Sequence, residues 1–172
     1  MRSTKIVTTF LKNQNKILIL KRSQKVKTMK GLWSGISGII ENNEKPIKRA
    51  EIEIFEEVGI KDNEIKLLKI GEQLDIESPQ YKNHQWHVFP FLFETEIMEI
   101  KLNWENSDFK WIEIMELEKF NTVPNLDQVL FSMLCTSFSF SYFLCCGSIR
   151  YTHAPPHIVQ GTLFPGCCPV LL

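Results

Sequence analysis

The spacing of apolar residues changes period several times along the first 130 positions. Residues 5–11 and 16–20 are β-branched or aliphatic runs separated by Lys12-Asn13-Gln14-Asn15, which predicts a β-hairpin. Gly31, Gly35 and Gly38 then interrupt the chain before Pro46, predicting a loop with short extended pieces. Beyond it, Ile47, Ala50, Ile54 and Val58 recur at three and four residues, the apolar stripe of a helix. Pro46 suits its first turn, where a missing N–H goes unnoticed, and Gly59 is placed to stop it. Residues 65–70, 85–93 and 109–112 read as strands and 115–120 as a short helix. Strands bracketing helices, joined by hairpins as well as crossovers, predict an α/β sandwich with a mixed sheet.

Composition adds little to this until it is divided. The 172 residues carry 20 basic and 20 acidic side chains, so no long-range field draws a nucleic-acid polymer or an acidic membrane. A polyanionic ligand must be met by local groups or by a metal. With 44% hydrophobic and 23% charged residues, the chain can bury an ordinary globular core. Residues 1–127 hold 39 of the 40 charges, however, and Cys135, Cys145, Cys146, Cys167 and Cys168 all follow them. The division separates a charged body, residues 1–130, from an uncharged Cys-, Phe- and Ser-rich tail, residues 131–172. The N-terminus has no apolar segment with a small-residue cleavage site, which predicts a cytoplasmic body.

The tail admits three readings. Residues 128–149 run 22 positions without a charge, long enough for a bilayer span, although six Ser and Thr residues and sparse Lys/Arg flanks oppose one. A disulfide-bearing extension conflicts with a cytosolic body. The preferred expectation is that the tail is not part of the fold.

Chemistry concentrates on the polar side of the 46–58 helix. Glu53, Glu56 and Glu57 stand at i, i+3 and i+4, which predicts three carboxylates on about one face. Such a cluster is often only a solvated face, and the like charges repel by about a few tenths of a kcal/mol per pair. A divalent cation would reverse that repulsion. Oxygen ligands without thiol or imidazole suit magnesium or manganese. Around the cluster, Gly38 is followed after five residues by Glu44, and after eight more by Glu53-Ile54-Phe55-Glu56-Glu57-Val58-Gly59-Ile60. This spacing resembles the Nudix box, Gly-x5-Glu-x7-Arg-Glu-U-x-Glu-Glu-x-Gly-U, and departs from it only at Ile52, where the pattern has Arg. Trp33, Ser37-Gly38 and the stretch from Phe109 to Leu117 are also similar to that family, and the likeness covers about residues 4–130.

The resemblance implies a Nudix-type α/β/α sandwich and a metal-dependent hydrolase that cuts a diphosphate linkage with water, in a nucleoside di- or triphosphate or a related nucleotide derivative. It implies Glu53, Glu56, Glu57 and the Gly38 carbonyl as ligands of Mg2+ (or Mn2+), with Glu44 an accessory carboxylate of the catalytic group. In the family pattern the Arg at position 52 pairs with a box glutamate and holds it for the metal, which Ile52 cannot do; Arg49, four residues before Glu53, is a possible substitute. Trp86, His87 and Phe89 are candidates for stacking on a base, set against strand packing. The rival readings are a nucleotide-binding module with weakened catalysis, a protein tethered to a membrane through its tail, and isomerisation of a prenyl diphosphate on the same fold.

Overall fold

The computed structural model describes residues 2–41, 43–78 and 81–134. Expectations concerning the cysteines and the rest of the tail from 135 onward lie outside these residues. Eight described strands form one mixed sheet: β1 (Arg2–Asn13), β2 (Lys16–Arg22), β3 (Trp33–Ser34), β4 (Ile36–Ile39), β5 (Ile65–Ile70), β6 (Leu74–Glu77), β7 (His84–Thr95) and β8 (Asn106–Glu113). The hairpin expected near the N-terminus joins β1 and β2, with Lys12 opposite Ile17 and Asn13 opposite Lys16. β1 also runs parallel to β7 over its length and antiparallel to β4 at residues 6–9. The partners of β1 therefore change partway along it, β4 lying beside its middle and β2 beside its end.

Alternation along β1 divides the core in two. Val7 and Leu11 face one cluster and Phe10 faces the other. The first cluster is closed by helix α1 (Pro46–Val58) through Ala50, Ile54 and Val58. Pro46 opens α1 and Gly59 ends it at φ 76°, a left-handed conformation in which a β-carbon is strained. The second cluster is closed by helix α2 (Leu126–Leu134), with Leu126, Val129, Leu130 and Met133 buried against Phe10, Val88 and Leu92. A helix on each face of the sheet makes the α/β/α sandwich.

α2 continues past residue 130, where composition suggested that the fold ends, and so the first residues of the uncharged run are core. Among the described residues, no helix is long and apolar enough to cross a membrane. The expected helix at 115–120 is a 3-10 turn over Ile114–Lys119.

Candidate active site

The apolar stripe that seats α1 also takes in a glutamate. Glu57 stands seven residues after Ala50 and three after Ile54, so the helical turn carries it inward rather than out with Glu56. It is 5% exposed, whereas Glu56 is exposed and Glu53 lies between the two. The three carboxylates expected on one face thus occupy three environments. The backbone N–H of Ser37 donates to Glu57 Oε1 at 3.0 Å and the Asn106 side-chain amide to Oε2 at 2.6 Å. Glu57 accordingly ties α1 to β4 and to the start of β8. Burial pushes its carboxyl up to about 8 despite both donors, with Glu53 and Glu105 adding repulsion.

Glu53 rests against Gly38. A β-carbon on residue 38 would overlap the Glu53 carboxylate, so the bare backbone there is what lets the side chain lie beside β4. Burial pushes Glu53 up to about 7, opposed by the Arg49 guanidinium and reinforced by Glu56 and Glu105. Arg49 Nε donates to Glu44 Oε2 at 2.8 Å, and Arg49 Nη1 lies 3.5 Å from Glu53 Oε1. Ile52 is 38% exposed and takes no part in these contacts.

A cavity of about 390 Å³ opens at this edge of the sheet. Its lining combines Gly38, Glu41, Arg49, Glu53, Glu105 and Arg22 with Ile76, Trp86, Val88, Leu126 and Val129. Charged groups and apolar surface therefore meet in one space large enough for a small molecule. Trp86 lines it, and the indole Nε1 is buried without a hydrogen-bond partner among the described residues. His87 and Phe89, one and three residues on, turn to the opposite face. His87 Nδ1 is 2.7 Å from Asp75 Oδ1 on β6, and Phe89 packs in the α1-side cluster. Neither lines the cavity.

Sequence reasoning missed Glu105. It immediately precedes β8, far along the chain from α1 and outside any periodic segment, yet it lines the cavity and raises both Glu53 and Glu57. The strand predicted from sequence begins only at residue 109, so nothing in the local pattern singles Glu105 out.

Among the described residues, no group of three or more His, Cys, Asp and Glu side chains is gathered as a metal cluster. The donor chemistry nevertheless fits a hard divalent cation, because glutamate oxygens and a backbone carbonyl are present without sulfur or imidazole. Gly38 and the Glu53 carboxylate that lies against it, where a β-carbon would intrude, belong to the same donor set.

The chain is thus an α/β/α sandwich that brings an acidic helix to the mouth of a cavity of small-molecule size. More specifically, the chain belongs to the NUDIX domain family, whose model matches residues 2–133. Over 107 residues it is 32% identical to an RNA pyrophosphohydrolase of Bartonella clarridgeiae; that match takes in 52% of this chain, and the chain spans 61% of the relative's length. Its fold is similar to that of a C. elegans Ap4A hydrolase in a binary complex, with a TM-score of 0.63, 18% identity and coverage of 75% of this chain and 93% of the other. It is also similar to the NUDIX domain of Shewanella oneidensis NrtR complexed with ADP ribose, at TM-score 0.61 and 14% identity, covering 77% of this chain and 86% of that one.

Proposed function

We propose that this chain is a magnesium- or manganese-dependent hydrolase that cleaves the diphosphate linkage of a nucleotide or nucleotide derivative. The observation that carries this reading is the cavity that joins Gly38 and Glu53 to the apolar wall at Trp86. Glu53, Glu56, Glu57 and the Gly38 carbonyl would hold the cation. Bound there, it would neutralise the diphosphate oxygens and lower the pKa of a water. Burial pushes the Glu53 and Glu57 carboxyls up to about 7 and about 8, and a divalent cation bound beside them would favour their ionised forms.

The chain's own residues supply the rest. Glu105 lines the cavity, and its side chain makes no hydrogen bond to the described residues, leaving it free to accept a proton from the attacking water. Trp86 offers a flat apolar surface to the moiety beyond the diphosphate. Similarity to proteins named RNA pyrophosphohydrolase and Ap4A hydrolase makes nucleotides the first class to try.

The test is a panel of 5′-triphosphorylated RNA, Ap4A, ADP-ribose and nucleoside triphosphates, each incubated with Mg2+ or Mn2+ and with EDTA. Turnover that EDTA abolishes and that Glu105→Gln lowers by roughly 100-fold is expected. A second reading rests on Ile52, which breaks the family pattern within the site: a nucleotide-binding module. Saturable ligand binding with no turnover of any panel member would replace the hydrolase reading with that one.

A further inference from the structure

We propose that Arg49 is the positioning residue of the site, one guanidinium that grips Glu44 and Glu53 together and so fixes the Glu53 carboxylate in the cavity wall. The inference rests on the metal-dependent reading above. Arg49 stands one turn before Glu53 on α1, while Glu44 belongs to the loop that leads into the helix. The contacts at 2.8 Å to Glu44 and 3.5 Å to Glu53 therefore tie loop and helix through a single side chain. All three side chains are partly buried, at 19%, 20% and 12% exposure, where charge pairing is less screened than at an open surface.

Geometry makes arginine the suitable residue. A guanidinium presents separate N–H donors in a rigid plane and can serve two carboxylates, whereas an ammonium is a single point charge. Arg preceding Glu by four is the weaker order for an isolated helix pair. Here Glu44 already holds Arg49 in place, so less side-chain freedom remains to be lost when Glu53 joins. Glu53 is then bounded by the Gly38 backbone on one side and by Arg49 on another. Ile52, apolar and 38% exposed, contributes nothing to this arrangement, so the pairing that the family pattern draws from position 52 comes in this chain from position 49.

The experiment measures Mn2+ binding to the full chain, by the electron paramagnetic resonance of free Mn2+, for wild type, Arg49→Gln, Arg49→Lys, Glu44→Gln, Glu44→Gln/Arg49→Gln and Arg49→Gln/Ile52→Arg. Arg49→Gln should raise the Mn2+ Kd by roughly 10- to 100-fold, the usual effect of losing a group that orients a metal ligand. Glu44→Gln should weaken binding less, and should add nothing once Arg49 is gone. Arg49→Gln/Ile52→Arg should recover most of the loss. Wild-type affinity in Arg49→Gln, or full additivity of the Glu44 and Arg49 substitutions, would overturn the proposal. Should Arg49→Gln fail to fold, judged by its unfolding midpoint in EDTA, Arg49→Lys decides: several-fold weaker binding supports the clamp and unchanged binding removes it. If wild type itself binds no Mn2+, the metal-dependent reading fails first, which is distinct from a wild type that binds and a variant that matches it.

Discussion

The Asn106 side-chain amide donates to the Glu57 carboxylate at 2.6 Å, joining the first residue of β8 to the last turn of α1 where both residues are buried. With the Ser37 N–H on the other oxygen, the carboxylate is held by two elements that sequence places far apart. Asn106→Ala removes one of the two donors and leaves a buried oxygen without a partner. A loss of about 1–3 kcal/mol in unfolding free energy is expected, read from urea denaturation. An unchanged denaturation midpoint would mean that water replaces the amide at no cost.

The raised carboxyls make the metal-free protein sensitive to pH in a stated direction. Glu57 moves from an ordinary 4.5 to about 8, and Glu53 to about 7, chiefly through burial. In this interval the folded chain binds more protons than the unfolded one, so stability falls as pH rises. Their contribution is fully present below 4.5 and is lost as pH passes about 7 and then about 8. Thermal midpoints in EDTA should therefore decline across that window in wild type. Glu57→Gln, neutral at every pH, should show a shallower decline, and an equal slope in both proteins would dissociate Glu57 from the effect.

Much of this architecture is readable in one dimension because it is local. Pro46, the 3.6-residue stripe and Gly59 define α1 to the residue, and the two aliphatic runs with their polar break define the first hairpin. The burial of Glu57 is less legible: its charge suggests an outward face, while its position three residues after Ile54 puts it at the edge of the stripe. α2 escaped because three of its four buried residues, Val129, Leu130 and Met133, lie at the head of a run whose Ser and Phe content suits strand as well as helix. Glu105 and Asn106 reach the site only through the pairing of β8 with β2, in which Arg22 lies opposite Asn106. No local pattern encodes a long-range strand register of that kind.

Gly38 offers a sharper test of the site's geometry than loss of any carboxylate. Alanine is compatible with an extended strand, but its β-carbon would occupy the space of the Glu53 carboxylate. Gly38→Ala should therefore leave the fold in place while displacing Glu53, lowering Mn2+ affinity and turnover by at least about 10-fold, in the range seen when a metal ligand is misoriented. Circular dichroism checks the fold and Mn2+ titration checks the site. Wild-type affinity would show that Glu53 swings aside without consequence.

Trp86 and His87 separate substrate contact from strand architecture, since neighbouring residues on β7 face opposite sides of the sheet. Trp86 lines the cavity, whereas His87 is paired with Asp75 away from it. Trp86→Ala should raise KM for the best panel substrate by about 10-fold or more, because base–aromatic stacking contributes about 1–3 kcal/mol. Trp86→Phe keeps an aromatic surface of smaller area, and should fall between Trp86→Ala and wild type. His87→Ala should leave KM unchanged while perturbing the β6–β7 ladder that Asp75 shares, a difference visible in the unfolding midpoint. The reverse ranking, with KM raised by His87→Ala and not by Trp86→Ala, would move the substrate to the other face of the sheet.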